Sequence, residues 1–188
     1  YELMQRLISR GHIDLMALPP SNISRIDNHE ENLLIKPLRE VIGKYWETGS
    51  VFIFVGAIGA VLRLIKPFIS SKETDPAVLV MDSKGENVIP ILGGHIAGAE
   101  QIALYLSEDL GGKAVLTGFT STNQMLALDA FGNAWGWKRN PEIVNWKELM
   151  INQANGLKIS FYQDAGSLLW KTSQIASESL FELKKDAK

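Results

Sequence analysis

The sequence predicts an α/β protein in which a mostly parallel sheet is covered by helices, giving three layers. Two observations carry this prediction. Short apolar runs such as Val51 to Val55 and Ala77 to Met81 have the composition of strands that are buried on both faces. Segments with apolar residues at helical spacing alternate with these runs, which is typical of strand-helix units. We expect a first domain over residues 1–140 and a smaller, incomplete α/β segment over residues 141–188.

The first third of the chain is predicted to contain two helices and a short strand. Apolar residues recur at helical spacing from Glu2 to Ser9. His12 to Leu18 predicts a strand, which a polar loop follows. Leu33 to Tyr45 predicts a second helix, in which Pro37 either lies in the first turns, where proline is tolerated, or separates two short pieces.

The middle of the chain alternates between the two patterns. A helical pattern runs from Ala57 to Ile69. The runs Ala77 to Met81 and Val88 to Leu92 are joined by turn residues, Asp82 to Gly85, so we expect them to form a hairpin. Pro90 cannot donate a backbone hydrogen bond, which places the second strand at an edge or at a gap in the ladder.

The elements that follow are less regular. In order they are a strand over Lys113 to Thr117, a polar loop over Gly118 to Asn123, a helix capped by Asn123 that runs through Phe131, a helix over Ile143 to Gln153, a strand over Leu157 to Tyr162, and a helical pattern in the tail after Gly166.

Composition excludes several classes of protein. The net charge of −2, with no block of basic residues, argues against nucleic-acid binding. The absence of cysteine excludes disulfides, thiolate metal sites and cysteine nucleophiles. The apolar runs are shorter than the roughly 20 residues that span a bilayer, so we expect a cytoplasmic protein without a membrane anchor. The histidines, His12, His29 and His95, do not have metal-ligand spacing, so we predict no metal site.

The stretch from Asn87 to Gly112 contains the strongest candidate for a ligand site. Its strand ends at Gly93 and Gly94, His95 follows at once, and a helical pattern then begins. The free amides and the dipole of a helix N-terminus attract anions. We therefore predict an anion-receptive turn that extends to Gly98.

Two other loops carry candidates, namely Gly56, Gly59, Arg63, Lys72 and Asp75. If their strands are parallel neighbours, these loops and the glycine turn gather at one edge of the sheet, where open α/β folds bind ligands. A hydroxyl-bearing loop adds two further candidates, Thr117 and Thr120. The Gly56 turn has only two of the three glycines of the dinucleotide fingerprint, so a nucleotide-binding domain is the weaker alternative. A thermal-shift screen with nucleotides would reveal it.

Two stretches together resemble one known family. GAIGAVLRLIKPFISSKETDPAV, beginning at Gly56, and ILGGHIAGAEQIA, beginning at Ile91, closely resemble the cobalt-precorrin-5A hydrolases, the cobalamin biosynthesis protein CbiG family. The match is strong from about Val51 to Leu116. It departs from the family pattern at Ala97 and Glu100, where the family usually has Gly and Asn.

The resemblance implies a hydrolase of anaerobic cobalamin biosynthesis. Such an enzyme opens the lactone of cobalt-precorrin-5A and releases acetaldehyde to give cobalt-precorrin-5B. Water is the cosubstrate, and the cobalt belongs to the substrate, so no cofactor is implied. The reaction needs a base, for which His95 is the first candidate and Asp75 the second. Arg63 or Lys72 would stabilise negative charge, and both would clamp carboxylates of the macrocycle together with the glycine turns.

A second hypothesis is a non-catalytic protein that binds or scaffolds a corrinoid intermediate. Many family members carry a further C-terminal domain, so a separate protein that supplies this domain is a candidate partner. The tryptophans are compatible with a homodimer. Binding of cobalt-precorrin-5A without release of acetaldehyde would favour the second hypothesis over the first.

Overall fold

The computed structural model describes residues 2–19, 33–123, 125–132, 137–138, 140, 142–163 and 182–183. His29 and most of the tail lie outside these residues. The chain forms two compact units, Tyr1–Val115 and Leu116–Lys188. The predicted division at residue 140, where Asn140 precedes a proline, stays a prediction.

The first unit is a mixed sheet with helices between its strands. Its elements are α1 (Glu2–Ser9), β1 (Met16–Leu18), β2 (Leu33–Ile35), α2 (Leu38–Tyr45), β3 (Val51–Val55), α3 (Ile58–Ile65), β4 (Ala77–Met81), β5 (Asn87–Leu92), α4 (Ala99–Leu110) and β6 (Lys113–Ala114). The main sheet has the order β3-β4-β5-β6. Its β3-β4 and β5-β6 pairs are parallel, and its β4-β5 pair is antiparallel. The predicted α/β class with a mostly parallel sheet is confirmed.

Strand β4 forms the centre of this unit. At most 1% of the surface of any of its residues is exposed. Because side chains alternate along a strand, Val78 and Val80 share one face, where they pack with residues of α2 and α3, namely Ile42, Val61 and Ile65. The other face carries Leu79 and Met81, and α4 packs against β4 and β5. Each fully buried aliphatic side chain contributes roughly 1.5–3 kcal/mol, so this double-sided burial fixes the three layers.

The segment Leu33–Ile35 corrects one prediction. It was expected to begin a helix, but it is a strand that pairs in parallel with β1, Met16 lying opposite Leu33. Helix α2 begins only after Pro37, which has φ −53° and ψ 122°. A proline removes an amide donor and disfavours helical geometry in the residue before it, so the apolar residues upstream pair as a strand.

The predicted hairpin between β4 and β5 is confirmed. The register shifts between Val78 and Leu79, and Leu79 lies opposite Pro90. The missing donor of Pro90 therefore coincides with an irregularity in the ladder, as expected. The turn is organised by Asp82, whose carboxylate accepts the backbone amides of Lys84, Glu86 and Asn87 and the side-chain amide of Asn87.

We expect Asp82→Ala to weaken the hairpin in a pH-dependent way. The Asn87 side chain and the backbone amides of the turn hold the pKa of Asp82 well below its usual value of 3.8. A lowered folded-state pKa stabilises the fold above pH 3.8, and this contribution is lost as the pH falls below that value. The urea midpoint of the variant should therefore lie below that of the wild type at pH 7, and the difference should narrow below pH 4. A constant difference across this range would contradict the assignment.

The second unit has its own small core. Its elements are α5 (Phe119–Thr122), α6 (Trp146–Ala154), β7 (Ser160–Phe161) and β8 (Glu182–Leu183), and β7 pairs in parallel with β8. Helix α6 begins after Asn145, whose side chain accepts the Glu148 amide. The buried residues Leu126, Leu128 and Ile159 pack with Phe131 and Trp137.

Two predictions in this unit are wrong. The polar loop expected over 118–123 contains the short helix α5, and the helix expected through Phe131 is absent from the described residues 125–132, which form irregular and turn segments. Leu126 and Leu128 are both buried, and the amides of Ala130 and Phe131 donate to the Ala127 carbonyl, which closes a turn there. The Leu126 carbonyl accepts the side-chain amide of Gln153 at 3.0 Å.

Candidate functional site

His95 lies in a turn between β5 and α4. The Gly98 amide donates to the His95 carbonyl at 3.2 Å, and Gly98 has φ +78°, in the left-handed region. The sequence pattern predicted that the helix starts at His95, but α4 begins at Ala99. The reason is Gly98, because a left-handed residue interrupts the right-handed helical path and glycine adopts it without steric cost.

The first amides of α4 are engaged within the turn. The Ala99 amide donates to the Gly93 carbonyl and the Glu100 amide to the Gly94 carbonyl, both at 3.1 Å. A helix start offers four free amides, and two of them are used here to close the turn. The predicted anion-receptive turn therefore has fewer available donors than the pattern indicated.

Gly93 brings this turn against the start of β4. It has φ +69°, and a β-carbon on it would lie 2.7 Å from the Pro76 carbonyl oxygen and 2.8 Å from the Ala97 β-carbon. Only a residue without a side chain fits this approach. The segments that hold Asp75 and His95 consequently meet at one edge of the sheet.

Glu100 lies beside His95. Its Oε2 is 3.2 Å from His95 Nε2, and the two side chains are 15% and 20% exposed. The Nε2 atom itself is buried. A β-carbon on Gly94 would lie 3.1 Å from Oε1 of Glu100, so the carboxylate lies over the turn. Sequence reasoning identified Glu100 only as a departure from a family pattern and gave no signal of this pairing.

Asp75 is buried and anchors the loop before β4. It is 3% exposed, and its carboxylate accepts the Trp46 indole N–H at 3.3 Å and the Ser70 amide at 3.0 Å. These contacts give Asp75 a structural role in addition to its candidacy as a base. Trp46, 29 positions earlier in the chain, was missed by the sequence analysis because no local pattern links the two residues.

Asp75 variants test the structural role. We expect Asp75→Ala to cost about 2 kcal/mol of folding free energy, because it removes the acceptor of two partly buried hydrogen bonds, from Trp46 and Ser70. Asp75→Asn keeps the shape and one acceptor oxygen, so it should cost about half as much. Urea unfolding followed by tryptophan fluorescence measures both. Equal losses would show that the acceptor oxygen is not what stabilises the loop.

Arg63, the remaining charged candidate in the first unit, lies at the opposite edge of the sheet, together with the Gly56 turn. Gly56 donates its amide to the Met81 carbonyl, at the C-terminal end of β4, whereas Gly93 meets the N-terminal end. Arg63 donates to the Gly59 carbonyl at 2.8 Å and so lies near the Gly56 end. The expectation that all three loops share one edge is therefore wrong. One reason is that Lys72 and Asp75 precede β4, whereas the Gly56 turn follows its parallel neighbour β3. The other is the hairpin, because an antiparallel β5 ends where β4 begins, roughly 16 Å from the far end of a five-residue strand.

The other candidates fall in different places. Lys72 is exposed in the loop that leads to Asp75, at the same edge as His95. Thr117 and Thr120 belong to the second unit, where Thr120 lies in α5, and their contact with a ligand stays a prediction.

In the described parts of the chain, no three His, Asp or Glu side chains converge as a metal site would require. Among these same residues, no helix is long and apolar enough to cross a membrane.

Comparison with known proteins gives consistent matches. Residues 40–121 match the profile of the family described as cobalamin synthesis G N-terminal. A cobalt-precorrin-5A hydrolase of Priestia megaterium is 32% identical over 149 residues, which is 73% of this chain and 40% of that protein. One of Salmonella typhimurium is 43% identical over 82 residues, 44% of this chain and 23% of that protein.

A solved structure is also similar. It is a cobalamin biosynthesis protein G homolog from Sulfolobus solfataricus, with 26% identity and a TM-score of 0.47, covering 71% of this chain and 40% of that one. The chain thus spans less than half the length of each of these three proteins. The family match includes the turn with His95 and the loop with Lys72 and Asp75. From residue 40 to residue 121 the chain is thus similar to the cobalamin synthesis G N-terminal family.

Proposed function

We propose that this chain acts as a cobalt-precorrin-5A hydrolase in cobalamin biosynthesis, opening the lactone and releasing acetaldehyde to give cobalt-precorrin-5B. One observation carries the proposal: the turn with His95 packs against the segment that follows Lys72 and Asp75, within the residues that match the family. The names of the bacterial relatives support the choice of substrate. The cobalt enters as part of the substrate, and we propose no resident cofactor.

The residues at this edge suit the first chemical step. Water must lose a proton as its oxygen attacks the lactone carbonyl carbon, and the ring C–O bond then breaks. His95 is the candidate base, since imidazole accepts a proton near neutral pH. Such a base contributes about 10²–10⁴ to the rate. Lys72 is exposed at the same edge, where its charge stabilises the developing oxyanion or a carboxylate of the macrocycle.

Incubation with cobalt-precorrin-5A and water tests the proposal. Acetaldehyde is followed by a coupled NADH assay, and the corrinoid product by mass spectrometry. Release of one acetaldehyde per macrocycle supports the hydrolase. Binding of the corrinoid with no acetaldehyde would overturn it in favour of a corrinoid-binding protein, an outcome consistent with Glu100 at a position where the family usually has Asn.

Lys72→Ala and Arg63→Ala should differ in their effect on this reaction. Lys72 lies at the edge with His95, whereas Arg63 lies near Gly59 at the other end of the strands. A lost charge-assisted contact costs about 1.5–3 kcal/mol, so Lys72→Ala should lower kcat/KM by roughly 10- to 100-fold. Arg63→Ala should have the smaller effect. Steady-state kinetics compare the two, and an equal or larger loss for Arg63→Ala would contradict this placement of the site.

A further inference from the structure

We propose that Trp46 is a positioning residue that holds the loop carrying Lys72 where the ammonium group of Lys72 meets an anionic group of the substrate. This role rests on the proposed hydrolase function, in which Lys72 stabilises the oxyanion or a carboxylate of the macrocycle. Trp46 lies directly after α2 and reaches the loop through a side-chain hydrogen bond.

The loop that carries Lys72 is closed on itself by hydrogen bonds. The amides of Thr74 and Asp75 donate to the Ser71 carbonyl at 3.2 and 2.9 Å. The Asp75 carboxylate accepts the Ser70 amide at 3.0 Å, which joins the two ends of the loop. Lys72 is exposed between these fixed points, so the place of its backbone follows the place of the loop.

Two hydrogen bonds tie this closed loop to the segment after α2. The indole N–H of Trp46 donates to Oδ1 of Asp75 at 3.3 Å, and the hydroxyl of Thr48 donates to the Thr74 carbonyl at 3.0 Å. These bonds come from outside the loop, so they restrain where it lies, whereas the bonds within it restrain only its shape.

The indole is itself held by the core of the first unit. Its ring centroid lies 5.3 Å from that of Phe52 in β3 and 5.7 Å from that of Phe68, which follows α3. Trp46 also packs against the buried cluster between α2, α3 and β4. A ring packed between aromatic neighbours has little freedom to turn, so the donor that reaches Asp75 is preorganised.

The position of the loop matters because the loop adjoins the turn with His95. A β-carbon on Gly93 would lie 2.7 Å from the Pro76 carbonyl oxygen, and Pro76 directly follows the loop. A shift of about 1 Å in a positioned group can lower a rate by about 10²-fold. A loop restrained at its end therefore keeps Lys72 at the edge where we place the reaction.

Trp46→Phe tests the proposal, because it removes the indole N–H and keeps an aromatic ring in the core. We expect it to lower kcat/KM for cobalt-precorrin-5A by about 2- to 10-fold, the effect of one lost hydrogen bond. Combined with Lys72→Ala, it should lower kcat/KM no further, because the loop then has no ammonium group to position. An equal loss in both backgrounds would overturn the proposal, since Trp46 would then act on Asp75 itself and not through Lys72.

Thr48 supplies a matched pair of variants on the second hydrogen bond. Thr48→Val removes the hydroxyl and keeps the size of the side chain, whereas Thr48→Ser keeps the hydroxyl. Thr48→Val should behave as Trp46→Phe does, with its loss absent in the Lys72→Ala background, and Thr48→Ser should match the wild type. Thermal melts verify that each variant folds. Equal kcat/KM values for the two Thr48 variants would contradict the restraint of the loop from this segment.

Amide hydrogen exchange of the full chain tests the restraint without turnover. Trp46→Phe should speed exchange of the Ser70 amide, which donates to Asp75, while exchange in the centre of β4 stays as in the wild type. Unchanged exchange at Ser70 would overturn the proposal. A wild type that releases no acetaldehyde would refute the proposed function, and the same double-mutant cycle measured on the dissociation constant for cobalt-precorrin-5A would then decide whether Trp46 acts through Lys72.

Discussion

A Gly93→Ala variant is expected to lose about 3 kcal/mol of folding free energy, which exceeds the cost of most single substitutions. Gly93 has φ +69°, and a left-handed conformation costs an alanine about 1–2 kcal/mol. The added β-carbon would also lie 2.7 Å from the Pro76 carbonyl oxygen. Relief of that overlap requires a backbone shift at the start of β4, which adds about 1–3 kcal/mol.

Gly98→Ala is the matched control for this prediction. Gly98 has φ +78°, but a β-carbon there would meet nothing within 4 Å. The substitution should therefore cost only the conformational term, about 1–2 kcal/mol. Urea unfolding of the two variants measures the difference. If both lose the same stability, the approach of Gly93 to Pro76 does not contribute, and the close packing of the two loops would be refuted.

Strand β4 and the hairpin were predictable because their signals are local. The same composition was misleading for Val51–Val55, which is a strand but is not fully buried, Val51 being 44% exposed. A five-residue apolar run such as Ala77–Met81 has few alternatives to a fully buried strand, and turn residues fix the direction of the strand after it. The start of α4 was less predictable. The residues after His95 fit a helical pattern, and only the left-handed Gly98 delays the helix to Ala99.

The candidate site was only partly predictable because it depends on which strand ends meet. His95, Lys72 and Asp75 were identified by residue type, and the fold brings their segments to one edge through the contact of Gly93 with Pro76. Gly56 and Arg63 were grouped with them on the assumption of parallel neighbours. The hairpin that the sequence also predicted is incompatible with that grouping, since reversing β5 exchanges the ends at which its loops emerge.

Two side-chain contacts had no sequence signal at all. The indole of Trp46 reaches Asp75, and the carboxylate of Glu100 reaches His95 across a turn. Both pairs depend on backbone geometry that periodicity does not encode. Buried polar groups require such partners, so their existence is expected even where their identity is not.

His95→Ala is expected to lower the rate of acetaldehyde release from cobalt-precorrin-5A by about 10²–10⁴, the contribution of a positioned base. The fold should tolerate the change, because the turn is held by backbone hydrogen bonds from Gly98, Ala99 and Glu100 that do not involve the imidazole. The measurement is single-turnover release of acetaldehyde, with thermal melts to verify folding.

His12→Ala distinguishes loss of this base from loss of any histidine. His12 Nε2 is 2.9 Å from Oδ2 of Asp109, near the C-terminal end of α4, about 15 Å along the helix from its start near His95. Its replacement removes a contact between the turn after α1 and the last turn of α4, and it should lower stability while the turnover rate of the folded protein is kept. If His95→Ala turns over as fast as His12→Ala, the base lies elsewhere. Asp75 would then be the remaining candidate, although its carboxylate already accepts hydrogen bonds from Trp46 and Ser70.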